Sequence, residues 1–132
     1  MIVIQENDLA IASYDEDLGL ILFETKNFLA NKNTSLIQAL LKSVIKFADE
    51  NNVIGEIVDL TNLRGNFNPV IEYLVAAYYP EVAKRGMKRA AYVVSKDSLS
   101  RRLVKRIIND NNVMETMAFD DYEQAKKWVI NS

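Results

Sequence analysis

Cysteine and histidine are both absent from the 132-residue chain. Without cysteine there is no disulfide framework, no thiolate nucleophile and no cysteine-held zinc or iron–sulfur centre. Without histidine the chain loses the commonest general base near neutral pH, the usual nitrogen ligand of transition metals and every Ser-His-Asp arrangement. Any catalysis would have to run on carboxylates, Lys, Tyr, Ser or Thr. Proline is almost absent too, at two residues, and glycine is held to four. With 49% hydrophobic and 26% charged residues, such a composition excludes collagen-like, low-complexity and disordered chains and leaves an ordinary globular one. Gly19, Gly55, Gly65 and Gly86 fall in neither a GxGxxG nor a GxxxxGK[ST] spacing, so no phosphate-cradling loop of a recognised kind is expected.

Long hydrophobic runs are lacking as well. The longest uncharged stretch, Val70 to Tyr79, is broken by Glu72 and falls far short of the roughly 20 residues that span a bilayer. The N-terminus reaches Glu6 and Asp8 at once, without the basic start and apolar core of a secretory signal. These features predict a cytoplasmic protein with no transmembrane segment. The length suits one domain, residues 1–132, since it supports a single core of ordinary size.

The residues that are present read as an α/β chain. Ile2 to Gln5, Leu9 to Tyr14 and Leu20 to Glu24 are β-rich runs split by short polar turns, which predicts an antiparallel meander. From Ser35 to Asn51 the period changes: Ile37, Leu40, Leu41, Val44, Ile45 and Ala48 form one stripe, the mark of an amphipathic helix. Ser35 with Gln38 reads as its capping box. Val53 to Leu60 is a short apolar run of the kind buried on both faces in a central strand. Asn68-Pro69 predicts an N-cap and first helical residue, and Val70, Ile71, Leu74, Val75 and Tyr78 the inward stripe of a second helix. Pro80 should kink that helix near Ala76 to Tyr79. A strand from Ala90 to Ser95, a helix opened by Asp97 or Ser98, a strand near Val113 to Phe119 and a last helix capped by Asp120 complete the pattern. The fold expected is a mixed sheet, antiparallel at the N-terminal strands and parallel in the remainder, packed with about four helices.

Chemistry-bearing clusters are few. Asp15-Glu16-Asp17-Leu18-Gly19 resembles a cation loop, yet an EF-hand would need a Glu at position twelve, where Lys26 stands; the turn preferences of Asp and Gly explain it alone. No cofactor or metal site is expected. Asp59 sits at the carboxyl end of the probable central strand, followed by Thr61, Asn62, Arg64 and Asn66 on one loop, a position where open α/β sheets place ligands. The plain alternative is that Asp59 and Asn62 satisfy backbone donors of their own loop. Tyr73, Tyr78 and Tyr79 bunch on the second helix. Tyr79 lies off the apolar stripe, so these tyrosines are read as a pocket wall or a self-association face, against ordinary packing of each.

Charge is uneven along the chain. Residues 1–66 hold five basic and ten acidic side chains, net −5, and residues 67–132 eleven and eight, net +3. The basic run includes Arg101, Arg102, Lys105 and Arg106, which fall on the polar face of an amphipathic helix. A pI near 5.2 and the absence of interleaved aromatics argue against nucleic acid, leaving a solvated face as the reading.

Three segments carry a family likeness: Glu56-Ile57-Val58-Asp59-Leu60-Thr61-Asn62-Leu63, the stretch from Tyr78-Tyr79-Pro80-Glu81 through Ala90-Ala91-Tyr92-Val93-Val94, and Phe119-Asp120-Asp121-Tyr122 through Trp128-Val129. Together they make nearly the whole chain resemble the SpoIIAA-like (STAS-like) proteins of bacteria. The resemblance implies a mixed sheet backed by helices, and a regulatory or small-apolar-ligand-binding module, since relatives include anti-sigma-factor antagonists and CRAL-TRIO-like lipid binders. Anti-sigma-factor antagonists carry an Asp-Ser-Ser-Gly-like motif after the central strand, where a phosphorylated Ser switches partner binding. Here Arg64-Gly65-Asn66-Phe67-Asn68-Pro69 contains no Ser or Thr, so that switch is not expected.

The sequence thus points to a non-catalytic domain binding a protein partner or a small apolar ligand through Asp59, Thr61, Asn62, Arg64, Asn66, Tyr73, Tyr78 and Tyr79. The alternatives are an enzyme using Asp59 with Lys or Tyr as acid and base, and a homodimer joined through the Tyr73–Tyr79 surface.

Overall fold

The computed structural model describes residues 1–26, 28–29, 34–96 and 98–131. Strands β1 (Ile2–Glu6), β2 (Ala10–Asp15) and β3 (Leu20–Thr25) form the expected antiparallel meander. Its alternation is plain in β2, where Ala10, Ala12 and Tyr14 are buried while Ile11, Ser13 and Asp15 stay half-exposed. The turn into β3 is closed by Asp15, whose Oδ1 accepts from the N–H groups of Asp17 and Leu18. Gly19 takes φ of 72° there, a left-handed conformation that glycine adopts without a Cβ penalty.

Helix α1 (Thr34–Glu50) buries Leu40, Leu41, Val44 and Ala48, the stripe that the 3.6 period picks out. It begins before Ser35, which therefore lies inside the helix and not at its cap. The chain then enters β5 (Gly55–Asp59), parallel to β3, and after further crossovers adds β7 (Arg89–Val93) and β8 (Glu115–Phe119), also parallel. The sheet order is β1-β2-β3-β5-β7-β8. A separate parallel pairing joins β4 (Phe28–Leu29) to β6 (Leu63–Arg64), where the sequence had suggested only a turn.

Side chains of β5 alternate between two cores. Ile57 faces Leu20, Leu22, Ala91 and Val93 beneath helix α5 (Tyr122–Ile130). Glu56 and Val58 face the larger core, covered by α1, by the helical run 68–84 and by α4 (Leu99–Asp110). Gly55 is required by the approach of α5: a Cβ there would stand 2.4 Å from Val129 Cγ1 and 3.1 Å from the Arg89 carbonyl oxygen. Arg89 clamps the same helix, donating to the Trp128 carbonyl at 2.6 Å with its guanidinium 4.6 Å from the Trp128 ring centroid.

Two caps differ from expectation by one residue. The second helix, α2 (Asn68–Tyr73), has Phe67 in the cap position, and Asn66 Oδ1 accepts from Asn68 N–H. Asp121, not Asp120, caps α5 and accepts from Glu123 N–H at 3.0 Å. Both corrections have one cause, since the Asx turn that closes the preceding loop fixes which side chain reaches the free amides. Ser98 caps α4, accepting from Arg101 N–H; Asp97 lies outside the described residues.

The expected kink at Pro80 takes a different form. The chain runs from α2 through a π turn, Leu74–Tyr78, into α3 (Tyr79–Lys84), with Tyr79 N–H donating to the Leu74 carbonyl five residues back. Pro80 lacks an N–H and its ring crowds the carbonyl one turn before it; widening that turn is the local relief. Counted as one continuous run, 68–84 joins α1, α4 and α5 to make four helices.

Candidate functional site

The π turn decides where the tyrosines go. In a regular α-helix residue i+4 stands under residue i, and Tyr79 falls off the inner stripe. A turn closed by an i to i−5 bond sets Tyr79 beneath Leu74 instead, so Tyr78 and Tyr79 both face the sheet and both are 0% exposed. This corrects the expectation for Tyr79. Tyr73, in contrast, keeps partial exposure at the end of α2.

Beneath the two rings lies Glu56, 1% exposed and in the middle of the sheet. Its strand neighbours are Ile21 on β3 and Ala90 on β7, so no cation reaches it from the sheet. Tyr78 Oη–H donates to Glu56 Oε1 at 2.6 Å and Tyr79 Oη–H to Oε2 at 2.8 Å. The Tyr92 hydroxyl from β7 is in turn hydrogen-bonded to the Tyr79 hydroxyl. The four groups therefore form a linear chain, Tyr92–Tyr79–Glu56–Tyr78, entirely inside the protein.

Burial and hydrogen bonding push the Glu56 carboxyl in opposite directions. Desolvation disfavours its charge, the two tyrosine donors favour it, and burial wins, raising the group from 4.5 to about 7. The three phenols are held well above their ordinary range by burial first and by the neighbouring carboxylate second. They keep their protons at any physiological pH.

Next to this chain the large core is incompletely filled. A cavity of about 80 Å³ lies between the sheet and the helical layer. Ala10, Phe23, Leu40, Leu41, Val70 and Leu74 line it from the sheet and the helices, together with the buried Glu56 and Tyr92. Leu60, Leu63 and Phe67 contribute from the loop after β5. Thr25, Ile37, Val58 and Leu63 are lining residues that retain accessible surface, which marks the side that opens.

The residues expected to form a site are distributed around the cavity without lining it. Asp59 is half-buried, and its Oδ1 accepts from both the Thr61 N–H and the Thr61 hydroxyl, at 2.9 and 2.7 Å. Thr61, Asn62, Arg64 and Asn66 are exposed. Asn62 Nδ2 lies 3.5 Å from the Thr25 carbonyl oxygen, and Asn66 bonds Asn68 as above. Asp59 and Asn66 are thus engaged locally and Asn62 points to β3, while the apolar residues of the loop line the cavity. Tyr78 and Tyr79 stand directly behind the wall, holding Glu56.

Glu56, Tyr92 and the cavity-lining Phe23 and Thr25 were not anticipated as a group. One signal for Glu56 was present. A run read as buried on both faces obliges every member to be inside, and an interior carboxyl demands donors; with no His in the chain, nearby tyrosines were the natural supply.

The basic helix face is partly as expected. Arg102, Lys105 and Arg106 are exposed, and Arg106 donates to Asn68 Oδ1 at 2.6 Å and pairs with Asp110. Arg101 departs from it: the residue is half-buried, and its Nη1 is covered without a hydrogen-bond partner among the described residues.

No protein-family model matches the chain, and no curated protein matches it. Along almost its full length the chain resembles the solved structure of an uncharacterized protein of the DUF3478 family with a SpoIIAA-like fold, from Shewanella loihica PV-4. The TM-score is 0.62 at 16% identity, covering 95% of this chain and 98% of that one. The fold is SpoIIAA-like. At that identity the likeness concerns the arrangement of sheet and helices, so biochemical conclusions rest on the cavity and the chain of hydroxyls behind it. Among the described residues no helix is long and apolar enough to cross a membrane.

Proposed function

We propose that this SpoIIAA-like domain is a non-catalytic binding module that takes a small apolar molecule into the cavity between β2, β3, β5 and the helices α1 and α2. The carrying observation is a cavity of about 80 Å³ with a hydrocarbon wall, open on the side of Thr25, Ile37, Val58 and Leu63. Protein interiors are packed to crystal-like density, and an apolar wall left without packing partners gains contacts when something occupies the space beside it. Its volume is about half of the ~150 Å³ apolar cavity that accepts benzene. A ligand of a few heavy atoms is the natural occupant, with larger ones protruding past Leu63.

An acid–base enzyme would require Asp59 opposite a Lys or Tyr in a closed pocket. Asp59 is bonded to Thr61 at the surface instead, and the tyrosines near the cavity hold their protons too tightly to act as bases.

Methyl-detected NMR titration with methylenecyclopentane tests this reading. The expected result is saturable shifts at Leu40, Val70 and Leu74 methyls, abolished in Ala10→Leu, whose longer side chain fills the void from β2. Shifts that are absent at ligand saturation, or equal in Ala10→Leu, overturn it.

A further inference from the structure

The outermost strands of the sheet, β1 and β8, each leave one side without a strand partner. Such an edge carries free N–H and C=O groups with which another chain can pair, and proteins blunt it with bulges, charges or proline. β1 is blunted: its register shifts between Val3 and Gln5, and it ends on Glu6. β8 is not. It pairs with β7 in unbroken register from Glu115 to Phe119, and Thr116-Met117-Ala118-Phe119 holds neither a charge nor a proline.

Which backbone groups stay open on β8 follows from its ladder. Glu115 N–H donates to the Lys88 carbonyl at 3.3 Å, and the Phe119 carbonyl accepts from Val94 N–H at 2.8 Å, so both residues face inward to β7. Along a strand this direction alternates with each residue. Thr116 and Ala118 therefore turn their N–H and C=O groups outward, where the sheet has no further strand. The two faces beside this edge differ. On the α5 face, which Met117 shares with its strand neighbour Ala91, Met117 is 43% exposed and apolar. On the other face runs α4. Arg106 reaches Asn68 at the start of α2, which fixes that flank of α4 as the one turned away from the edge. By the 3.6-residue count Arg101 lies on the opposite flank, toward the edge, with Lys105 one turn further along and exposed.

The acids close to β8 already have cations: Glu115 pairs with Arg89, Asp120 with Lys96 and Asp110 with Arg106. Arg101 and Lys105 are in no ion pair among the described residues. We propose that β8 docks an extended segment of a partner protein in which acidic side chains alternate with apolar ones. The segment pairs with Thr116 and Ala118 as a further strand, its acids turned to Arg101 and Lys105 and its apolar residues to Met117. In strand addition of this kind the backbone supplies affinity, and alternate side chains, pointing to opposite faces, supply choice. A second copy of this chain fits less well. Two-fold pairing of β8 with itself runs antiparallel with the same sheet face up in both copies, which sets the cationic flank of one α4 against that of the other. The edge is separate from the cavity, so this proposal goes beyond the small-ligand reading and does not depend on it.

The experiment is fluorescence anisotropy of the full chain with a fluorescein-labelled hexapeptide of alternating Glu and Val, against a control of alternating Lys and Val, with amide NMR shifts to locate the binding. The acidic peptide should bind saturably, shift the amides of Thr116 and Ala118, weaken with added salt, and bind at least about tenfold more tightly than the basic one. Lys105→Glu should weaken it about threefold to tenfold. Ala118→Pro removes an outward N–H and leaves the ladder to β7 intact, the one side of an edge strand where proline is tolerated. It should abolish binding at an unchanged urea midpoint. Thr116→Pro makes the same test at the other outward residue should Ala118→Pro fail to fold.

Equal binding of the two peptides, or no binding of either, would overturn the proposal. So would binding that survives the proline variants or leaves the Thr116 and Ala118 amides unshifted. A dimer of the free chain in sedimentation that Ala118→Pro dissolves would assign the edge to a second copy and overturn the acidic partner. Each of these outcomes leaves the cavity reading where it stands.

Discussion

Replacing Glu56 by Gln isolates the energetic consequence of burying that carboxyl. In the folded protein the group is raised from 4.5 to about 7, and each unit of difference is worth 1.36 kcal/mol between the two protonation states. The product is about 3 kcal/mol. Its sign follows from where the proton binds more tightly. Because the folded state holds the proton better, Glu56 favours folding fully below 4.5; that contribution is lost progressively as pH rises, and is gone above about 7. Gln cannot ionise and has almost the same shape. The stability of Glu56→Gln relative to the parent should therefore climb by about 3 kcal/mol between pH 4.5 and pH 7.5, whatever its absolute value. Urea unfolding followed by circular dichroism at half-unit pH steps measures this, and the other carboxylates cancel in the difference. A difference that stays constant within about 0.5 kcal/mol, the spread expected of a surface substitution, would show that Glu56 is solvated and the buried chain of hydroxyls wrong.

Tyr79→Phe keeps the ring but strips the hydroxyl that serves both Glu56 and Tyr92; leaving those partners bare should cost about 1–3 kcal/mol in the same urea assay. Gly55→Ala drives a methyl into Val129 and the Arg89 carbonyl, so a loss of about 1–3 kcal/mol is expected, with Trp128 fluorescence reporting loosened α5 packing. Arg102→Glu with Lys105→Glu, both exposed on α4, should leave the urea midpoint within about 0.5 kcal/mol of the parent.

Much of the architecture was legible because it follows from periodicity. The α1 stripe of Leu40, Leu41, Val44 and Ala48 needs only a count of 3.6 residues per turn. The parallel half of the sheet follows from strands alternating with helices between residue 35 and the C-terminus. Boundaries were less legible. Asn68 and Asp120 each lost the cap position by one residue, to a competition among adjacent polar side chains that depends on the loop's own turn. The short β4–β6 pairing has no periodicity to read, being two residues in each strand.

The site was harder for a physical reason that runs through Pro80. A 3.6-residue count places Tyr79 off the inner face, and the count fails at the one place where a missing N–H and a crowding ring favour a wider turn. That turn brings Tyr79 over Glu56, Tyr79 links Glu56 to Tyr92, and Tyr92 is among the residues that line the cavity. Pro80 thus shapes the site without lining it. The loop after β5 borders the cavity through its apolar residues, while Asp59 and Asn66 are engaged by the loop's own hydroxyl and backbone groups. What the loop gives the cavity is Leu60, Leu63 and Phe67, residues that a search for charged and hydroxyl groups passes over. A charged residue in a strand read as buried on both faces is the more informative sign: Glu56 could be tolerated there only where hydroxyl donors converge on it, and finding them leads straight to the void beside them.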